Sequence, residues 1–416
     1  MKTQVILIPI GSAGDVFPFL ALGKELQQRK HHVAVMTNPI FKTNVGQAGL
    51  EFIDLGSEQE LRTAGTDDRL HQSAEAWKLA LRWGAIGTMR QTVSYLKDRR
   101  KRCQTLLVAS PLSFGARLAS EAYDIPLATV VLSPFILRSV YDAPTIKPMW
   151  LGDWMPQLLK SLQYRIADQF FIDPVVKKDV NALQQELGLP QSERFLHQWC
   201  FSKDLCLAAF DEGFAAVQPD WPENLNLTGH YVWDPPSDDT DLKRLDQFAH
   251  RKDDPIVVVS AGSAGAPSAN YYQRWIDAAG EVGCQLLILE RNSDLVPQAL
   301  SDSVMHFSYL PMSVVLKHVS AVVHAGGIGA TLRTLAAGVP QLILPKVNDQ
   351  FDNADRIIRL NAGFTGDWEM DTAGAKACLK RLLSGEFPMV DNSRAPTIDP
   401  VNQASDYLES IFYRHD

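Results

Sequence analysis

Apolar residues in this chain fall into short unbroken runs, separated by stretches where they recur every three or four positions. VILIPI (5–10), HVAVMT (32–37), TLLVAS (105–110) and LATVVLS (127–133) are nearly continuous and rich in β-branched residues. Such runs predict strands buried on both faces of a parallel sheet, because a sheet with one wet face alternates apolar and polar positions. FPFLALGKELQQRK (17–30) has helical spacing instead, so strand and helix alternate in a βαβ series. The pattern starts again with PIVVVSAGSAGAP (255–267), CQLLILE (284–290), SAVVHAGG (320–327) and VPQLILPK (339–346), after a loop rich in Pro and Asp, WDPPSDDTD (233–241). GSAG follows an apolar strand twice, at 11–14 and at 262–265, a weak internal symmetry. The prediction is an α/β protein of two doubly wound domains joined near residue 235. Ligands of such sheets bind beyond the strand carboxyl ends, so two facing domains would share one central cleft.

Composition narrows the function. A length of 416 residues suits two domains, and a net charge of -8 argues against nucleic acid, whose phosphates call for a basic face. The basic cluster KDRRKR (97–102) is expected to close a helix, with anionic lipid as the sharper alternative. Five scattered cysteines (103, 200, 206, 284, 378) form no C-x-x-C pair and suggest reduced, buried thiols. The run at 5–10 ends in a glycine turn rather than a cleavage site, and no stretch reaches the ~18 apolar residues of a membrane span. The expectation is a soluble cytoplasmic protein, with peripheral contact at the inner membrane face as a further option.

Two places carry chemistry. In VILIPIGSAGDVFPFL (5–20) a glycine turn is followed by a carboxylate, Asp15, where a phosphate loop would offer bare N–H groups. A negative charge repels phosphate. It suits the removal of a proton from a hydroxyl, while the plainer reading makes Asp15 the cap of a helix starting at Val16. In HAGGIGATLRTLAAGVPQLILPKVNDQFDNADRI (324–357), His324 ends a strand and Gly326, Gly327 and Gly329 open a helix, an anion site of N–H groups and helix dipole. His324 is expected to add a side-chain donor. Asp349 and Gln350 follow the next strand, and such a pair suits vicinal sugar hydroxyls. Aromatic residues collect in inserted helical stretches of the first half: Trp77, Trp83, Phe135, Trp150, Trp154, Phe170 and Phe171. Singly each reads as core; together they suit an apolar pocket. Asp239-Thr240-Asp241 has metal-binding spacing but no strand before it, and the GSAG turns lack dinucleotide spacing.

H-x-G-G-x-G, A-A-G-V-P and D-Q-x-x-N-A resemble the donor-binding region of family 1 glycosyltransferases, which have the GT-B fold. G-S-x-G-D-V-x-P is similar to the bacterial and sterol-type branch of that family. IGSAGDVFPF (10–19), FGARLASE (114–121), HAGGIGA (324–330) and NDQFDNADR (348–356) resemble most closely the catalytic chain of rhamnolipid-forming rhamnosyltransferases. The resemblance implies an acceptor-binding domain at 1–233, a donor-binding domain at 234–400 and a crossover helix at 401–416 returning to the first. It implies an inverting, metal-independent transfer from a dTDP- or UDP-linked hexose of rhamnose or glucose type to an amphiphilic hydroxylated acceptor. The nucleotide sugar is a co-substrate and no resident cofactor is implied.

Residue by residue, Asp15 would be the general base. Gly262 and Ser263 would touch the diphosphate, and Tyr309, Leu310 and Pro311 would form the base-binding loop. His324, Gly326, Gly327, Ile328, Gly329 and Ala330 would hold the phosphates. Relatives often have a hydroxyl where Ala330 stands, so that contact falls to backbone N–H or to Thr331. Asp349 and Gln350 would hold the sugar. Acceptor contacts are expected from Ser12, Gly14, Phe17, Trp77, Trp83, Ser133 and Phe135. The alternatives are a sterol or polyketide-type acceptor, a sugar-nucleotide epimerase, and a non-catalytic sugar-nucleotide-binding partner.

Overall fold

The computed structural model describes residues 4–59, 73–99, 105–147, 149, 152, 154–262, 267–268, 270–387 and 398–412. Its packing divides the chain into Met1–Trp233 with the segment from Pro396, and a second unit, Asp234–Ala395.

The first unit is built on seven parallel strands: β1 (Gln4–Ile8), β2 (His32–Thr37), β3 (Glu51–Asp54), β4 (Thr105–Ala109), β5 (Leu127–Val131), β6 (Leu205–Ala208) and β7 (Leu225–Leu227), in the order β3-β2-β1-β4-β5-β6-β7. Every residue of β4, β5 and β6 is buried, which is why their sequences do not alternate. The second unit has six parallel strands: β8 (Ile256–Ser260), β9 (Gln285–Leu289), β10 (Val304–Phe307), β11 (Ala321–His324), β12 (Gln341–Ile343) and β13 (Gly363–Thr365), ordered β10-β9-β8-β11-β12-β13. In each sheet the strand order reverses once, between β1 and β4 and between β8 and β11. A doubly wound sheet opens a crevice at that reversal, so chemistry is expected in the loops after β1, β4, β8 and β11. Both glycine-rich motifs stand there.

Asp238 caps helix Asp239–Ala249 by accepting the Thr240 N–H, which explains the D-x-D spacing as a helix start. Of the basic cluster, Lys97 ends helix Met89–Lys97, and residues 100–102 lie outside the described residues.

Helix Pro400–Phe412 packs on the first unit, where Ala404, Leu408 and Ile411 enter the same cluster as Phe19, Leu22 and Leu26 of helix Ala13–Gln28. Arg29 pins it by donating to Asp406 at 2.6 Å, to Glu409 at 2.9 Å and to the Asn402 carbonyl at 3.1 Å. His31 meets the other Glu409 oxygen at 2.9 Å. Arg29→Ala is expected to lower stability by about 1–2 kcal/mol, the scale of charge-assisted hydrogen bonds that are partly open to solvent. Urea unfolding at low and high salt checks this, and the difference should narrow as salt rises.

Candidate active site

The loop after β1 is fixed from both sides. Ser113 Oγ donates to the Ile8 carbonyl at 2.6 Å, the Ile10 N–H donates to Ser110 Oγ at 3.2 Å, and Thr37 Oγ1 donates to the Pro9 carbonyl at 3.2 Å. Gly11 then turns the chain at φ 137°, and a Cβ there would stand 2.2 Å from Asp15 Oδ2. Only glycine supplies both that dihedral and that space.

Helix Ala13–Gln28 starts earlier than its sequence suggests. Ser12, not Asp15, is the N-cap, and Asp15 takes the third helical position of a capping box. The Ser12 N–H and hydroxyl both donate to Asp15 Oδ2, at 2.7 and 3.0 Å. Burial nonetheless outweighs these bonds and raises the carboxyl pKa above the ordinary range. Gly14 lies in this first turn, and Phe17 packs edge-on against Trp233 with centroids 5.0 Å apart.

Helix Ser73–Leu79 continues as a π turn, Ala80–Ile86, whose Gly84 lies so close to Ile10 that a Cβ would stand 2.9 Å from its Cγ2. The inserted helix therefore leans on the Asp15 loop. Trp77 stacks on Phe135 (5.6 Å, 15°), and the Ser133 hydroxyl is buried without a hydrogen-bond partner among the described residues. Trp83, on the π turn, is exposed. Trp154, Phe170 and Phe171 correct the expected aromatic pocket: all three are more than half exposed. Trp150 lies outside the described residues.

In the second unit the loop after β11 is built from buried polar contacts. His324 is buried; its Nδ1 accepts the Gly326 N–H at 3.1 Å, so the proton sits on Nε2 and is donated to Gln341 Oε1 at 2.8 Å. Burial pushes its pKa down to about 4, with Gln341 opposing weakly. Both ring nitrogens are thus engaged. The expected phosphate donor is instead a neutral group that shapes the loop.

Gly326 has φ 89°, and a Cβ on it would stand 2.5 Å from Ile343 Cγ2. Gly327 and Gly329 differ, since a Cβ on either would have no neighbour within 4 Å. Gly327 caps helix Ile328–Ala336, whose first N–H groups, at Ile328, Gly329 and Ala330, lack intrahelical acceptors. Thr331 is fully buried and its hydroxyl donates to the Gly327 carbonyl at 3.0 Å. It is therefore not a ligand group, which leaves the contact at Ala330 to backbone.

Gln350 is buried, and its Oε1 accepts the N–H groups of Lys346 (2.8 Å) and Val347 (3.1 Å), so only its Nε2 end can serve a ligand. Asp349 stands just before helix Gln350–Arg359, where Asn353 Nδ2 donates to Asp349 Oδ2 at 2.9 Å and to the Gly326 carbonyl at 2.8 Å. Gly262, at φ 71° after β8, lies 3.7 Å from Ala325 Cβ, measured from its ideal Cβ. Ser263 lies outside the described residues.

Leu310 and Pro311 are buried, while Tyr309 is half-buried with its hydroxyl 3.5 Å from Asp234 Oδ1. Burial, then the nearby Asp234 charge, raises the Tyr309 pKa and keeps a donor there. Asp234 also receives Arg333 Nη1 at 2.5 Å and Ser313 Oγ at 2.7 Å. Gln341, Asn353 and the Asp234–Arg333 pair were not singled out by sequence reasoning. Gln341 could have been, as a polar residue inside an apolar strand run.

Two sequence models match. Residues 5–142 fit the glycosyltransferase family 28 N-terminal domain, and residues 273–394 fit the C-terminal domain described as erythromycin biosynthesis protein CIII-like. A sterol 3-beta-glucosyltransferase of Debaryomyces hansenii is 26% identical over 98% of this chain; the chain spans only 26% of that relative's length. Among solved structures, the calicheamicin glycosyltransferase CalG4 superposes with a TM-score of 0.70 at 20% identity, covering 100% of this chain and 99% of that one. The spinosyn rhamnosyltransferase SpnG, solved with thymidine diphosphate, gives 0.64 at 16%, covering 99% and 96%. The chain has the GT-B architecture of two Rossmann-like units. The relatives and structures it resembles are glycosyltransferases.

Two tests follow from the loop. Gly326→Ala should destabilise the fold, whereas Gly327→Ala should leave the melting temperature unchanged and weaken calorimetric binding of thymidine or uridine diphosphate about tenfold or more, the cost of crowding one anion contact. His324 binds its proton more weakly folded than unfolded. Its contribution to stability is therefore complete above the ordinary pKa of 6.5 and is lost as pH falls towards about 4. Gln341→Glu would face Nε2 with a carboxylate and should raise the His324 pKa by roughly 1–3 units, read by imidazole NMR titration.

Proposed function

We propose that the protein is an inverting transferase that moves a hexose from a dTDP- or UDP-linked donor to a hydroxyl of an apolar acceptor. The observation that carries this reading is Asp15: a half-buried carboxylate of raised pKa, at the sheet's switch point, held by Ser12 and given room by Gly11. Asp15 takes the acceptor hydroxyl proton as the oxygen bonds to the anomeric carbon. The bond from that carbon to the diphosphate oxygen breaks, and its electron pair leaves with the nucleotide. The N–H groups of Ile328, Gly329 and Ala330, with the helix dipole, stabilise that departing charge. Asp349 and the Nε2 end of Gln350 orient sugar hydroxyls, and Tyr309 lies beside the nucleotide base. A thymidine donor fits the ligand in the spinosyn rhamnosyltransferase structure.

The stacked Trp77 and Phe135 favour an amphiphilic acceptor, of the hydroxy fatty acyl kind in line with the rhamnolipid-type resemblance. A polycyclic acceptor is the second reading, favoured by the named activity of the Debaryomyces relative. A panel of nucleotide sugars against hydroxylated lipids and sterols, with products weighed by mass spectrometry, separates the two. Transfer to neither class would refute the acceptor assignment.

Asp15→Asn keeps the acceptor for Ser12 and loses the base. It should lower kcat by roughly 10²-fold or more. Its melting temperature should stay equal or rise, because the native fold disfavours ionised Asp15 relative to the unfolded chain and this cost is removed at neutral pH. In the wild type the acid limb of kcat/KM should lie above the ordinary carboxylate range, reflecting the raised pKa. Near-normal turnover in Asp15→Asn reduces Asp15 to a helix-capping residue.

A further inference from the structure

Helix Gln157–Ala167 runs through a π turn, Asp168–Ile172, into helix Asp173–Leu187. Its first half is amphipathic in the wrong sense for a soluble protein. Trp154, Leu158, Leu162, Ile166 and Phe170 recur every fourth residue, and with Leu159 and Phe171 all are exposed, Leu158 to 80%. The polar side points inward: Lys160 and Asp168 are buried, Asp168 accepts Arg138 Nη1 at 2.5 Å and Arg194 Nε at 3.0 Å, and Tyr164 donates to the Ser139 carbonyl at 3.0 Å. These anchors hold the helix with seven large apolar groups facing out. Beyond the π turn the sense is restored, with Val176, Val180 and Leu183 buried.

Charge selects the occupant. Between Trp154 and Phe171 the only exposed ionisable side chain is Arg165, and no carboxylate is exposed, in a protein of net charge -8. A second copy would set Arg165 faces of like charge against each other, whereas an anionic bilayer surface complements them. Aromatic residues at both ends and aliphatic ones between match a helix lying in a membrane interface. No helix among the described residues is long and apolar enough to cross a membrane. We infer that the face from Trp154 to Phe171 docks the protein on the surface of an anionic lipid bilayer. This inference does not depend on which acceptor is used.

Flotation of the full chain with vesicles tests it. The wild type should float with phosphatidylcholine–phosphatidylglycerol vesicles, and Leu158→Glu/Leu162→Glu should bind about tenfold or more weakly, the effect of placing charge on an interfacial apolar face. The double variant should keep its melting temperature and its turnover of a water-soluble acceptor, since both positions are exposed. Arg165→Gln should weaken binding to the anionic vesicles but not to pure phosphatidylcholine. If the double variant folds poorly, Trp154→Ser/Phe170→Ser serves in its place with the same expectation. Failure of the wild type to float, or equal flotation of the variants, overturns the inference. So does a wild-type dimer in solution that the substitutions dissociate, which would make the occupant a second copy. Loss of turnover on a soluble acceptor with vesicle binding intact would make the face an acceptor wall instead.

Discussion

Each unit depends on a parallel sheet covered on both faces. Strands such as β4 and β5 are buried at every residue, so neither face has room for a group that needs water or a ligand. Polar chemistry is displaced to the strand ends, and the single reversal of strand order decides which ends are open. In the first unit this concentrates Asp15, Ser12 and the serine pair at 110 and 113; in the second it concentrates His324, the glycines and the helix start at Ile328. The sites follow from the sheets.

The two loops solve opposite electrostatic problems. The first retains a carboxylate where burial opposes its charge, and supplies two donors from Ser12 to keep it in place. The second offers positive potential without any fixed charge, because its histidine is neutral and both ring nitrogens are occupied. A neutral His324 costs less to bury than an imidazolium, and backbone N–H groups need no proton to act as donors. The backbone donors proposed to hold an anion there would act whatever the protonation state of His324.

Most interior strands were legible as sequence because double-sided burial leaves a continuous apolar run; β6, buried throughout but only four residues long, was not. The four edge strands were not legible either. Glu51–Asp54, Leu225–Leu227, Val304–Phe307 and Gly363–Thr365 are short and only partly covered, so their composition resembles that of loops. Asp15, the glycines and the Asp349–Gln350 pair stood out because their residue types are unusual at strand ends. The direction of their contacts could not be read. That His324 Nδ1 turns back to Gly326, that Gln350 Oε1 is spent on the turn at Lys346, and that Thr331 bonds its own helix all depend on side-chain orientation. Sequence spacing does not encode that.

The helix Pro400–Phe412, clamped by Arg29, has a consequence for synthesis. The ribosome releases the first unit's sheet strands before residue 234, but Ala404, Leu408 and Ile411 belong to the same apolar cluster and emerge only after Asp234–Ala395. Until then the surface of helix Ala13–Gln28 that they cover stays wet, while Asp234–Ala395, made in between, has all its own strands in hand. The unit whose strands precede Asp234–Ala395 is therefore completed only after it, and the nascent chain must carry an uncovered apolar surface through the synthesis of an entire second domain.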